Sequence, residues 1–216
     1  MKNKEMVTRT FNAEFRVDEK SGSKIVGRPI VYEQKTNLGC FEEVIEKGAL
    51  KGANLKDVLF FINHDINKIP LARSRNNNVN STMQLKVDDE GLEIIAELDI
   101  ENNSEARSLY SAIERQDITG MSFMFQIDKE EWEDLNSDLP LRRIKKISIV
   151  REVSAVCFPA YEGTSINARD NMALDSAKIA LDNARATLDS VNNKNNSKEL
   201  LLLEKEKIKI LGGMIQ

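Results

Sequence analysis

Three side chains able to take part in proton transfer or nucleophilic attack stand inside apolar segments of this chain. His64 lies in "DVLFFINHDINKIPLARS", Ser122 in "ITGMSFMFQI" and Glu152 in "ISIVREVSAVCFPAY". His64 is the only histidine among 216 residues, set between Asn63 and Asp65 at the end of the apolar run Val58 to Ile62. An imidazole changes charge near neutral pH, and strand ends at the rim of a sheet are where reacting groups are commonly held. A histidine acting as a base needs a nucleophile to activate. Read with a period of two, Met121, Phe123, Phe125 and Ile127 form one apolar face, and Ser122 points the other way beside Gly120, Met124 and Gln126. The spacing around Ser122 is not the G-x-S-x-G nucleophile elbow, so that hydrolase reading is unsupported. A strand serine satisfied by a neighbouring carbonyl is the alternative. Glu152 sits where both faces of the strand are apolar, and a buried carboxylate is costly unless it is paired. Arg151 points to the opposite face, so Glu152 either lies on a solvated edge or meets a histidine or an arginine such as Arg142 or Arg143.

The elements that must hold these groups read as short strands from residue 7 to about 168. "RTFNAEFRV" alternates, "IVGRPIVYE" is β-branched, and "STMQLKVDDEGLEIIAELDI" is a hairpin whose turn ends on Gly91. One helix interrupts them: Ala106, Leu109, Tyr110 and Ile113 fall at i, i+3, i+4 and i+7 in "NNSEARSLYSAIERQ", with Asn or Ser as N-cap. The pattern predicts an α+β fold, mainly antiparallel β, in which a barrel or folded sheet forms the core. After Asn167 the composition changes. Leu174, Leu181 and Leu188 are seven apart, with Ala177, Ala184 and Val191 three residues after each, a stripe for packing on the domain, on a partner or on a second copy. The chain divides into a domain over residues 1–169 and a helical tail over 170–216, with "NNKNNSK" at 192–198 as a polar linker.

Bulk properties narrow the function. The formal net charge is -4 and no long basic block is present, so no footprint for nucleic acid is evident. The longest apolar runs fall far short of the roughly 20 residues that span a bilayer, and the N-terminus lacks the apolar core of a secretory signal. Cys40 and Cys157 read as free thiols in a reducing compartment. One histidine and two scattered cysteines lack metal-ligand spacing, and no cofactor is expected.

Four blocks, "CFEEVIEKGAL", "LFFINHDINKIPLAR", "ITGMSFMFQI" and "IVREVSAVCFPAYEGTSINAR", in this order and spacing, resemble the prohead proteases of tailed bacteriophages of the HK97 type. The resemblance covers about residues 7 to 169. It implies an assemblin-like β-barrel core with surrounding helices, as in the related herpesvirus proteases. It also implies a serine endopeptidase that removes the scaffolding segment of the phage major capsid protein, and cuts itself, inside the immature procapsid in the host cytoplasm. Carried onto this sequence, the histidine of the family is His64, the serine is Ser122 and the acidic residue is Glu152. Ala72 and Met124 stand where the family often has glycine. The partners implied are the capsid protein with its scaffolding segment and further copies of this chain, with no nucleic acid and no membrane. Backbone amides, with Arg142 or Arg143, are the candidates for oxyanion donors. The rival reading is a non-catalytic scaffolding protein of the capsid.

Overall fold

The computed structural model describes residues 6–12, 15–18, 22–157 and 171–212. Along the chain these form β1 (Met6–Asn12), β2 (Phe15–Val17), β3 (Lys24–Val31), β4 (Thr36–Asn37), β5 (Glu42–Ile45), β6 (Asp57–Ile62), β7 (Ala72–Arg75), β8 (Met83–Val87), β9 (Gly91–Glu97), α1 (Ser104–Glu114), β10 (Gly120–Glu133), β11 (Leu141–Val156) and α2 (Asn171–Gly212). The fold is mixed α+β and mostly strands.

Two sheets share one core. In the larger, β10 and β11 form a long antiparallel pair, and β1 adds antiparallel to the outer edge of β10. The other edge of β11 is divided. β5 runs parallel to its beginning, at residues 141–144, and β6 runs parallel to its end, at residues 152–155. β4 continues beyond β5, and β7 beyond β6. The smaller sheet is antiparallel, in the order β2-β3-β9-β8. From the larger sheet Val58, Phe60, Met121, Phe123, Phe125 and Val153 enter the core, where they meet Ile25, Ile30, Leu92 and Ile94 of the smaller sheet. Gly27 permits the closest approach. A Cβ there would lie 2.3 Å from the Met121 sulfur, so the residue preceding Ser122 packs directly on the second sheet.

The expected closed barrel does not form among the described residues. The larger sheet forks where β5 and β6 share one edge of β11, and it ends in β1, β4 and β7. The smaller sheet ends in β2 and β8. The surrounding helices reduce, among the described residues, to α1 and α2. In α1 the predicted apolar stripe is the buried face, with Ala106, Leu109 and Ile113 against the core. Asn103 is its N-cap, accepting from the N–H groups of Glu105 and Ala106, which satisfies two of the otherwise unpaired donors of the first turn.

The hairpin predicted over residues 81–100 is β8 and β9. Its turn is fixed by the Asp88 carboxylate, which accepts from the N–H groups of Glu90 and Gly91 and from both terminal nitrogens of Arg28. Hydrogen bonding from Arg28 holds that carboxyl well below the usual range, despite some desolvation. Gly91 has φ +146.

The C-terminal region departs from expectation. α2 is continuous through 192–198, where the composition suggested a linker. Its 42 residues make a rod of roughly 63 Å. Ala177 and Leu181 of the predicted stripe bury themselves on Phe41, with Leu38, Cys40, Trp132 and Leu135 around them. Arg185 donates to the carbonyls of Leu135 and Ser137 at the tip of the β10–β11 hairpin. Farther along, Val191 and Leu200, Leu201, Leu202 and Leu203 are exposed. The side chain of Leu174 and the expected boundary at residue 169 lie outside the described residues, as do residues 158–169 of the fourth block.

Candidate active site

His64 is presented by an unusual turn. β6 ends at Ile62, and the backbone then passes through Asn63 at φ +50 and His64 at φ +58. Left-handed backbone costs a non-glycine residue roughly 1–2 kcal/mol, least for asparagine, so two in succession must be enforced by their surroundings. The enforcement comes mainly from the end of β11. The Asn63 N–H donates to the carbonyl of Ala155 at 2.9 Å, extending the β6–β11 ladder by one bond. The Asn63 side-chain oxygen accepts from the Cys157 N–H at 3.2 Å. The His64 N–H donates to the hydroxyl of Ser154, also at 3.2 Å.

Sheet register supplies the other groups. Thr10 on β1, Ser122 on β10, Ser154 on β11 and Phe61 on β6 form one row across four strands. In the next row on the same face, two residues along, Met124 faces Glu152, which stands beside Leu59. Immediately after Met124 the register shifts, and Phe125 faces Val150. Arg151 is thus the extra residue of a β-bulge, exposed while Glu152 is buried. Bulges commonly re-aim side chains beside active sites.

The three sequence candidates meet here. His64 Nδ1 is hydrogen-bonded to Glu152 Oε1, and His64 Nε2 lies 2.6 Å from Ser122 Oγ. Ser154 donates to the second Glu152 oxygen at 2.7 Å. The Ser122 hydroxyl also accepts from the Thr10 hydroxyl at 3.0 Å and, at 2.7 Å, is placed to donate to the carbonyl of Arg9, so a neighbouring carbonyl and the imidazole are both within reach of its proton. Ser122 and Ser154 have no exposed surface and Glu152 is 2% exposed, whereas the His64 side chain is 22% exposed. Ser122 does point away from the main core, as its period-two position predicts. That face is nevertheless covered.

Arg142 and Arg143 play none of the parts considered for them. Arg142 bonds Glu43 and Glu130 and lies within 6.0 Å of the Phe41 ring, while Arg143 bonds Glu133. Ten residues of extended chain, roughly 30 Å, separate Arg142 from Glu152. Glu43 is the other buried carboxylate of the larger sheet. Burial pushes its carboxyl up, but Arg9 and Arg142 together outweigh that and hold it below the ordinary range. Sequence reasoning missed Ser154 and Thr10, whereas the Arg9 carbonyl is the neighbouring carbonyl that the alternative reading of Ser122 called for. The signal for Ser154 was present, since it lies two residues beyond Glu152 and so on the same face.

With a proton on Nδ1 shared toward Glu152, the imidazole offers its Nε2 lone pair to the Ser122 hydroxyl. An imidazole so placed can activate a serine hydroxyl, which is the chemistry serine hydrolases use. Residues 11–178 match the family described as caudovirus prohead serine protease. The chain belongs to that family, and it is a serine peptidase; the non-catalytic scaffolding reading is thereby set aside. A solved structure, that of the bacteriophage T4 capsid assembly protease gp21, is similar at 14% identity with a TM-score of 0.38, covering 72% of this chain and 99% of that one. No curated protein matches the chain.

Proposed function

We propose that this peptidase removes the scaffolding segment of an HK97-type major capsid protein, and cuts its own chain, inside the immature procapsid in the host cytoplasm. Ser122 is the nucleophile, His64 the general base and Glu152 the group that orients the imidazole. The observation that carries this reading is the position of His64, bonded through opposite ring nitrogens to Glu152 and Ser122.

The chemistry follows from what amide hydrolysis requires. Ser122 Oγ forms a bond to the scissile carbonyl carbon while its proton passes to His64 Nε2. The tetrahedral intermediate collapses as Nε2–H gives that proton to the leaving nitrogen, and the C–N bond breaks. Water then attacks the acyl ester, again losing a proton to Nε2, and Ser122 is regenerated. Glu152 holds the Nδ1–H tautomer and stabilises the imidazolium that forms in each half.

Self-association is part of the same reading, because a peptidase acting on its own particle gains restraint if isolated subunits are weakly active. The exposed leucines at residues 200–203 extend an apolar surface beyond the part of α2 that packs on its own domain. Self-cleavage near Asn192 to Ser197 requires that stretch of α2 to unwind first, since a peptidase acts on extended chain.

The test is co-expression of the chain, wild type or Ser122→Ala, with the major capsid protein encoded beside it, read by intact mass. Trimming by wild type alone is expected. Equal trimming by both would remove Ser122 from the mechanism, and trimming by neither in assembled shells would remove the capsid protein as substrate.

A further inference from the structure

The hydroxyl of Ser154 joins two parts of the site that sequence leaves far apart. It donates to Glu152 Oε2 at 2.7 Å, and its oxygen accepts the backbone N–H of His64 at 3.2 Å. The carboxylate of Glu152 is thereby held at both oxygens, by His64 Nδ1 at one and by Ser154 at the other. The His64 backbone is held in its left-handed conformation by the same atom. Ser154 has no exposed surface, so water does not compete for these bonds. It stands opposite Ser122 in the β10–β11 register, which puts the fixing atom on the strand beside the nucleophile.

We infer that Ser154 is a positioning residue of the peptidase: one hydroxyl sets both the rotation of the Glu152 carboxylate and the entry angle of the His64 ring. It touches neither substrate nor the reacting atoms and acts through the other two side chains. Its removal leaves a buried carboxylate oxygen and a backbone N–H without their partner, and both relieve this by moving. Carboxylate rotation takes Oε1 off Nδ1, and relaxation of the turn moves Nε2 away from Ser122. A misplacement of about 1 Å in such a constellation costs on the order of 10²-fold in rate. The inference rests on the Ser122, His64 and Glu152 reading above.

Threonine and valine at position 154 have the same shape and differ only in the hydroxyl, so Ser154→Thr and Ser154→Val isolate it. The readout is covalent labelling of the full chain by a fluorophosphonate, in which Ser122 Oγ bonds to phosphorus, fluoride leaves and His64 takes the proton. Labelling is resolved into a saturating rate and an affinity and normalised to folded protein. We expect Ser154→Thr to label within about threefold of wild type, and Ser154→Val to lose between about 10- and 100-fold in the saturating rate with affinity unchanged. Equal rates for the two, or a change confined to affinity, would overturn the role. If the extra methyl unfolds both, Ser154→Ala against wild type makes the same comparison with the same criteria. Ser122→Ala separates the two levels. Labelling that persists in it refutes the triad itself, whereas no labelling there with equal Thr and Val rates leaves the triad standing and removes Ser154.

Discussion

Glu43 and Glu152 are both buried carboxylates of the same sheet, and they are satisfied in opposite ways. Glu43 lies between two guanidinium groups, Arg9 and Arg142. Glu152 has an imidazole and a hydroxyl instead, so its main partner can gain and lose a proton during a reaction. Glu152→Gln tests that difference, because a carboxamide can present its NH₂ group to Nδ1 and favour the tautomer that carries the proton on Nε2. The expected outcome is a cleavage rate lower by on the order of 10⁴-fold with the fold intact, measured by single-turnover trimming of capsid protein. An unaffected rate would remove Glu152 from the mechanism. The three candidates were legible because each is locally anomalous: a lone histidine, a serine facing away from an apolar stripe, a charge inside a β-branched strand. Ser154 left a weaker mark, its place two residues beyond Glu152 on the same face, because a serine in a strand is ordinary until its neighbours are known. Arg142 and Arg143 misled because nearness in sequence along a strand is distance in space.

At the scale of elements, the hairpin, α1 and the strands were readable from local pattern, whereas strand pairing was not. β6 and β11 are about ninety residues apart, and nothing in either states that they run parallel or that β5 takes the remaining edge. The bulge at Arg151 was equally invisible, since it exists only relative to β10. Continuous helix through residues 192–198 went unread because asparagine is a poor helix former, a preference of only a few tenths of a kcal/mol per residue that context overrides. The glycine of the hairpin carries a sharper prediction. A Cβ at Gly91 would sit 1.9 Å from the carbonyl oxygen of Ile30, which is backbone and cannot swing aside. Gly91→Ala is expected to destabilise the protein by about 2–3 kcal/mol, seen as a fall in Tm of about 4–12 °C by scanning calorimetry. An unchanged Tm would mean that β3 and β9 do not pair in this register.

For the molecule as a whole, the buried cluster of Arg9, Glu43 and Arg142 ties β1, β5 and β11 together and couples folding to acid. The Glu43 carboxyl is held below its unfolded value, because two arginines outweigh the cost of burial. Its contribution to stability is therefore complete above the ordinary unfolded carboxylate pKa of about 4.3 and is lost as pH falls through the lower folded value. Urea unfolding should show a midpoint that declines below about pH 4.5, with Glu43→Gln less stable at pH 7 by about 3–5 kcal/mol and less steep on the acid side. A variant with the same acid slope as wild type would assign that slope to other carboxylates. The single imidazole has another consequence at this scale. With one histidine in 216 residues, a ¹⁵N-enriched sample made without a histidine tag has one pair of imidazole nitrogens in its spectrum. Composition alone assigns that pair to His64, and its shifts report where the proton between Glu152 and Ser122 resides, before and after shell assembly, with no probe attached and no residue changed.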